Sequence, residues 1–355
     1  MGSNDSHLVA AARPALAVAG QVDTALAGRL VELLVQEDLH GLCRCEALFN
    51  NWGQVGNGSG FLYFDRRTLD FGKQLEVRLG DSAVFDGRIS ALQAEFAGPE
   101  AQLRVLAEDR LQDLRMTRRS RGFADLDDAA VFRQIAQDHG LTPELDLAGP
   151  THALLAQLNQ SDLAFLRERA RAIGAELRLR GTTLHAARRS SSAAGAPTLT
   201  LGAELSEFRV LADLGTQATA VVVDGWDVAG KQAIHEQADG NSMASEIGND
   251  ESGAALLRNA FGERRQTLAH AVPLSADEAT ALARARFAQQ ARRFVVGQGV
   301  AAADPALQVG GRVKLQGLGP LFNGFYSVVA TRLRFDARHG LRTEFRAERA
   351  GLGRP

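Results

Sequence analysis

The sequence has few of the residues on which several common kinds of site depend. Only two cysteines, Cys43 and Cys45, occur in 355 residues, which excludes a disulfide framework and a cysteine-rich metal site. On a strand these two side chains would lie on one face, and we expect both to be buried. Two Trp and two Tyr are few for the exposed aromatic surface that a carbohydrate-binding module needs.

Charge is balanced, with a formal net charge of −2 and a pI of about 6.5, so there is no electrostatic case for nucleic-acid recognition. Of 40 basic residues only Lys73, Lys231 and Lys314 are lysines. This bias fits a GC-rich genome, and it equally fits arginine pairing at subunit interfaces. No apolar run approaches the ~20 residues of a membrane span. The run over residues 8–19 is broken by Arg13-Pro14 and lacks a basic leader, so no signal peptide is predicted.

A search for catalytic, cofactor or metal sites gives no candidate residue. The eight histidines are scattered without His-Glu-x-x-His spacing. Gly297-Gln298-Gly299 begins like a dinucleotide fingerprint, but a predicted helix precedes it where a strand is needed. Asp125, Asp127 and Asp128 lack the spacing of a calcium loop and suit a helix start. We therefore expect no enzyme, no cofactor and no metal; paired carboxylates for glycoside hydrolysis stay open.

The most informative feature is a stretch that occurs twice, as Leu75–Phe96 and as Arg312–Phe335. Each copy has a Val-basic-Leu strand, a Phe-Asp-Gly or Phe-Asn-Gly turn and a second alternating strand. The predicted structural repeat pairs Val77 with Val313, Leu79 with Leu315, Phe85 with Phe322, and Gly87 with Gly324. We interpret it as a duplicated β-domain; a chance match of two short hairpins is the alternative.

Length and composition predict several domains. We expect a flexible arm over 1–13, a first β-barrel domain over 14–120, an α/β module over 121–190, a β-rich segment over 191–272 with a linker at 190–197 and a mobile loop at 236–254, and a helix with the strands of a second β-barrel over 273–355.

Helix signals are local and clear. One helix should follow the aspartates at 125–128 and stop at Gly140, and a second should run from Asn159-Gln160-Ser161-Asp162 to Gly174. A third should begin at the capping box formed by Ser275 and Glu278. The glycines at 56–60 predict a flexible loop.

Several of these motifs together resemble a known family, the phage late control gene D proteins. These proteins are hubs of contractile-tail baseplates and are related to the N-terminal part of VgrG. The residues that carry the resemblance lie at 132–141, 159–167, 172–176, 223–227, 304–326 and 342–345. Asn159-Gln160-Ser161-Asp162-Leu163 is the most specific of them. The match covers residues from about 120 to 350 and is loose over the first 70.

The resemblance implies an α+β chain with two similar antiparallel β-barrel domains and an inserted α/β module, forming the hub of a homotrimeric ring. It implies as partners further copies of the chain, the inner tail-tube protein, a separately encoded spike and other baseplate proteins. Assembly in the bacterial cytoplasm and a place in the tail baseplate are expected. A tail-tip cell-wall hydrolase and a carbohydrate-binding tail module are the alternatives. Whether the particle is an infective phage, a bacteriocin or an effector-delivery system stays open.

Overall fold

The computed structural model describes residues 13–39, 42–96, 101–189, 192–228 and 230–354. The predicted arm lies outside these residues except for Arg13, and the predicted linker is described only from residue 192. The fold is α+β, as expected, with mostly antiparallel strands. In this described part, no helix has the length and apolar character to cross a membrane.

Twenty-five strands are present in the described residues. They are β1 (Ala15–Val18), β2 (Gln21–Val22), β3 (Leu30–Asp38), β4 (Arg44–Asn50), β5 (Trp52–Val55), β6 (Gly58–Phe61), β7 (Gln74–Leu79), β8 (Ser82–Glu95), β9 (Gln102–Glu108), β10 (Arg118–Asp127), β11 (Thr142–Asp146), β12 (Thr151–Ser161), β13 (Ala175–Arg180), β14 (Thr183–Arg188), β15 (Thr198–Thr200), β16 (Leu205–Ala212), β17 (Ala220–Asp227), β18 (Gln232–Asp239), β19 (Glu251–Ser252), β20 (Arg265–Thr267), β21 (Val295–Ala302), β22 (Arg312–Gln316), β23 (Gly324–Asp336), β24 (Gly340–Arg349) and β25 (Gly351–Leu352).

The α-helices of the same residues are α1 (Thr24–Gly28), α2 (Leu111–Arg115), α3 (Asp128–Asp138), α4 (Asp162–Ile173), α5 (Ala244–Ile247), α6 (Gly253–Phe261), α7 (Ala276–Ala291) and α8 (Gly319–Phe322). A 3₁₀ turn, Gly240–Met243, precedes α5.

The three predicted helices are confirmed as α3, α4 and α7, because each carries its own start signal. Asp127, Ser161 and Ser275 cap their first turns by accepting hydrogen bonds from backbone N–H groups. Gly174 ends α4 in the left-handed conformation, with φ of 71°. Capping and stop residues next to each helix are therefore sufficient to predict these three helices.

One sheet of thirteen strands organises the described chain. Its order is β16-β21-β24-β23-β3-β4-β9-β8-β7-β1-β2, with β22 beside the first part of β23 and β15 beside β22. The order is open, with β16 and β2 at its ends. The predicted closure of two β-barrels therefore stays a prediction.

The sheet contains the same five-strand unit twice. Unit 1 has the order β7-β8-β9-β4-β3, and unit 2 has the order β22-β23-β24-β21-β16. All neighbours within both units are antiparallel. The units are joined edge to edge, because β3 of unit 1 pairs with the second half of β23 of unit 2.

β-bulges give a residue alignment of the two units. Unit 1 has bulges at Val31 and Ser90, between the first and second and between the fourth and fifth of its strands in chain order. Unit 2 has bulges at the matching places, at Ser206 and Val329. Since a bulge shifts the register by one residue, these shared irregularities fix which residues correspond.

Two predictions about the repeated stretch differ from the fold. Phe85-Asp86-Gly87 is not a turn: it lies inside β8, and the chain reverses at Gly80-Asp81. Position 87 requires glycine because β8 and β9 pack closely there: a Cβ would lie 2.4 Å from the carbonyl oxygen of Glu108. In unit 2 the reversal uses the one-turn helix α8, which contains Phe322.

Two predicted loops are also wrong. Residues 236–254 contain the end of β18, the 3₁₀ turn, α5, β19 and the start of α6, and their polar residues Asp239 and Ser252 are helix caps. The glycines at 56–60 form the turn and second strand of the β5–β6 hairpin. The glycines and polar residues of these two segments predicted loops, whereas in the structure they form tight turns and helix caps between short regular elements.

Each part of the chain has its own core. Unit 1, the module of residues 118–188, unit 2, and the insertion between β16 and β21 each enclose a separate cluster of buried apolar residues. Leu333 and Phe335 of β23 are exceptions, because they pack into the core of unit 1. The joint between the units is thus both a backbone pairing and a packed apolar contact.

Candidate interaction surface

In the described chain, the main clusters of charged and hydrogen-bonded side chains stabilise the fold. The side chain of Asp162 is buried at the start of α4, where it accepts hydrogen bonds from Arg121 and Gln157, each at 2.8 Å, and is hydrogen-bonded to His139 at 2.8 Å. Burial tends to raise the pKa of Asp162, but the hydrogen bonds and the arginine charges hold it below its usual value. No group of three or more His, Cys, Asp or Glu in the described residues could hold a metal ion.

A small cavity of about 180 Å³ lies where the module meets the two units. Arg180 of the module donates to Glu37 of β3 at 2.8 Å beside it. Asp109 lines the same cavity and accepts hydrogen bonds from the backbone N–H groups of Cys43 and Leu111. Burial raises the pKa of Asp109 to about 7 against the effect of these bonds. The cavity therefore belongs to the junction between the module and the two units.

Both cysteines are free thiols in the core of unit 1. Burial raises the pKa of Cys43 and of Cys45, so both are held as neutral thiols. This agrees with the expectation from sequence that they are buried.

The residues of the predicted structural repeat lie in the cores and not at an exposed surface. Val77 and Phe85 are in the core of unit 1, and Val313 and Leu315 are in the core of unit 2. Leu79 and Phe322 are partly buried against those cores, Gly87 is buried in β8, and Gly324 opens β23 with a φ of +134°. Aligned on the bulges, Leu75 matches Val313 and Val77 matches Leu315, two residues from the sequence alignment.

The exposed features are instead the two outer edges of the paired units. β16 of unit 2 pairs with β21 along one edge, and its other edge forms an isolated bridge at Leu205 with Leu201. From Ser206 to Ala212 this outer edge has no strand partner among the described residues, so it ends the sheet there. On β8 of unit 1, β7 pairs only with residues up to Arg88, and the same edge is unpaired in the described structure from Ala91 to Glu95. An unpaired strand edge is a template for another strand.

An apolar patch continues the edge of β8. Phe96 directly follows β8 and contacts Phe61 and Phe64, with ring centroids 6.2 and 5.7 Å away. Trp52 lies 5.2 Å from Phe61 across the β5–β6 hairpin. Phe96 is 69% exposed and Phe61 48%, so this aromatic cluster faces solvent in the single chain.

The face of the sheet opposite the cores, called the polar sheet face, carries many charged side chains in both units, together with a few apolar ones such as Leu34 and Leu48. Rows of side chains on neighbouring strands form ion pairs, such as Arg44 with Glu108 at 3.1 Å and Arg334 with Glu344 at 2.8 Å. An open groove of about 570 Å³ lies on this face over β16, β21 and β24.

Sequence reasoning found the repeat but missed these edges. The only signal was that both copies of the repeated stretch run on to a phenylalanine, Phe96 and Phe335. The bulge alignment also matches these two residues, yet one is exposed and the other is 3% exposed. That contrast needs the tertiary structure.

Comparison with known proteins gives one family and many similar folds. The family model described as the Alg8 N-terminal domain matches residues 54–335. No curated protein matches significantly in sequence.

Among solved structures, a 43 kDa tail protein of prophage MuSo2 from Shewanella oneidensis has a TM-score of 0.71 at 12% identity, with 95% of this chain and 98% of that chain covered. A tail protein from Neisseria meningitidis MC58 has a TM-score of 0.68 at 12% identity, covering 96% and 97%. The c3393 protein of E. coli, a type VI secretion component similar in structure to the phage T4 tail proteins gp27 and gp5, has a TM-score of 0.59 at 12% identity, covering 92% and 76%. These likenesses show a shared fold.

Proposed function

The chain belongs to the Alg8 N-terminal domain family, and on that premise we propose that it is a structural component of a contractile phage tail or a phage-tail-like injection particle. Its fold is shared over nearly the whole chain with two tail proteins, which supports this role. Within such a particle it acts as the baseplate hub: a homotrimer that adapts the sixfold inner tube to a threefold spike.

One observation carries the hub proposal, namely the repeated five-strand unit within one continuous sheet. A trimer of ordinary subunits presents three equivalent surfaces to a sixfold ring. Since each chain here contains the unit twice, three chains present six similar units with only threefold symmetry required. The units differ in their insertions, so one side can meet the tube while the other meets different neighbours.

The proposed partners follow from the proposed hub role. They are two further copies of the chain, the tube protein, the spike protein and other baseplate proteins, and the protein would act without catalysis. It would assemble in the bacterial cytoplasm and end in the tail of the particle. The tube would be met by the rim of the ring, and the polar sheet face would line the passage.

The test is to purify the full chain alone and with the tube and spike proteins encoded beside it. Mass photometry should show a species near three times 38.0 kDa, and electron microscopy should show a ring that caps the tube. A chain that binds neither tube nor spike protein would refute the hub role. A cleared zone in a peptidoglycan zymogram would point to the hydrolase alternative.

A further inference from the structure

The joint between the two units within one chain is a pairing of two strand edges. In it, β3 runs antiparallel to the second half of β23, from Ala330 opposite Asp38 to Asp336 opposite Glu32. Leu333 and Phe335 thereby cover Leu33 and Val35, and these four side chains are 2–6% exposed.

The matching positions at the outer ends of the chain lack this cover. By the bulge alignment, Leu33 and Val35 correspond to Phe208 and Val210 of β16, which are only partly buried. Leu333 corresponds to Ala94 of β8, which is exposed. β16 and β8 occupy the same places in their units as β3 and β23, but they lack the partner strand that covers β3 and β23.

Phe335 corresponds to Phe96, and here the contrast is largest. Phe335 is 3% exposed and Phe96 is 69% exposed. A phenylalanine kept at the same place in both units, but solvent-exposed in one, indicates that this one is covered by another molecule.

We propose that β16 of one chain pairs with residues Ala91–Phe96 of a second copy, in the register of the internal joint. This inference rests on the proposed function and identifies the surface by which the hub's copies meet. Transferring the register places Ala94 opposite Val210, Glu95 opposite Arg209, and Phe96 opposite Phe208 of the neighbouring chain.

The chemistry at these positions is complementary. Glu95 forms an ion pair with Arg104 of β9 at 3.3 Å within its own chain. In the proposed register it would also face Arg209 across the strands, where an opposite charge is stabilising. Phe96 would enter the apolar surface formed by Phe208, whose ring lies 5.8 Å from Tyr326 and 6.1 Å from Phe345. The aromatic cluster around Phe61 would extend the contact beyond the strand.

This contact is head to tail, since each chain offers β16 at one end and β8 at the other. Head-to-tail contacts make closed rings when the rotation closes and filaments when it does not. Closure after three chains joins six units through six similar strand pairings, three within chains and three between them. The two outer edges of the paired units, which would otherwise promote aggregation, are then both used.

The register is tested by cysteine cross-linking of the full chain. In antiparallel strands, directly opposite residues have Cα atoms about 4.5–5.5 Å apart, within disulfide range. The double variant Ala94→Cys with Val210→Cys should form covalent dimers and trimers on non-reducing gels under mild oxidation. The control Ala94→Cys with Leu211→Cys places the second thiol on the opposite face and should stay uncross-linked. The native thiols are buried in the core.

The charge pair is tested by reversal. Glu95→Arg alone and Arg209→Glu alone should each raise the concentration for half-assembly by at least about tenfold, because like charges would then face each other. Combining them should restore assembly. Glu144→Arg, at a side chain 72% exposed on β11, which belongs to a different sheet from both edges, should leave assembly unchanged.

The outcomes separate this inference from the hub role. A trimer that forms without the specific cross-link and ignores both charge reversals would overturn the proposed edge pairing while leaving the hub intact. Cross-linked rings that bind neither tube nor spike would support the pairing and refute the hub role. A chain that stays monomeric at all concentrations and gives no cross-link would overturn the pairing.

Discussion

At the scale of single residues, the sequence motif Asn159-Gln160-Ser161-Asp162 is explained by packing and caps. Ser161 caps α4, and Asn159 takes a left-handed backbone with φ of 48°. Asp162 connects β10, β12 and the end of α3 through one buried carboxylate. The contacts of the motif thus specify how the module folds.

Asp162→Asn should destabilise the chain by about 2 kcal/mol at neutral pH, because the partly buried Arg121 loses a hydrogen bond to a buried charged partner. The pKa of Asp162 is lowered in the folded state, so its stabilisation is present above the unfolded pKa and is lost as pH falls. Denaturant unfolding should therefore show a smaller deficit at pH 3.5 than at pH 7. Asp146→Asn, at an exposed position, is the control; an equal deficit at both pH values would contradict the role of the charge.

Asp109 should give the opposite pH dependence. Its pKa is raised to about 7 by burial, whereas an unfolded aspartate has a pKa of about 4. The proton bound in the folded state stabilises it fully below about pH 4, and this contribution is lost as pH rises through 7. Compared with Asp109→Asn, the native chain should lose unfolding free energy between pH 5 and pH 8. A difference between the two proteins that does not change with pH would contradict this.

At the scale of elements, the two units fill the same part of their cores with side chains of different size. Gly297 and Gly299 of β21 lie under Phe208 and Phe345, where an added Cβ would come within 2.1 Å and 2.8 Å of a ring. The matching positions of unit 1 hold Cys45 and Ala47 with Leu33 and Val105. Larger rings on one strand are offset by glycines on the next, so the Gly-x-Gly pattern reflects core volume.

Gly297→Ala should cost about 1–3 kcal/mol through overpacking, measured by chemical denaturation. Adding Phe208→Leu should recover much of the loss, since it recreates the arrangement of unit 1. Gly58→Ala is a matched control in another strand, where a Cβ meets nothing within 4 Å. Failure of Phe208→Leu to rescue would show that the ring is not the obstacle.

Phe335 and Phe96 form a natural matched pair for the joint between units. Phe335→Ala removes a ring from the core of unit 1 and should cost about 3–5 kcal/mol of unfolding free energy. Phe96→Ala removes an exposed ring and should change the stability of the dilute chain by less than about 1 kcal/mol, while it weakens self-association. Unfolding at low concentration and mass photometry at high concentration measure the two effects, and equal loss of stability in both variants would contradict the assignment.

At the scale of the whole molecule, assembly should be visible in the backbone itself. The outward-facing amide hydrogens of β16 and of residues 91–95, which do not bond to β21 or β9, should exchange rapidly in the dilute chain and become protected in the ring. Those of β3 should be protected in both, because its pairing is internal. Hydrogen exchange with mass spectrometry at two concentrations distinguishes them; protection elsewhere, with these two edges unchanged, would place the contact on another surface.

The sequence by itself determined the local elements. Caps such as Ser161 and Ser275, the stop at Gly174 and the alternating strands act within a few residues, so helices, hairpins and the existence of a repeat could be predicted. Short-range rules misjudged residues 236–254 and the Phe85-Asp86-Gly87 stretch, because a glycine or a polar residue serves turns, caps and tight packing alike.

Only the tertiary structure decided which strand edges meet. The pairing of β3 with β23 joins residues almost 300 positions apart, and nothing in either strand's pattern specifies that partner. The same fold leaves β16 and the end of β8 uncovered, although their residues match a covered pair. Backbone hydrogen bonds are alike in every strand, so the choice of partner depends on core shape and on which edges the rest of the chain leaves open.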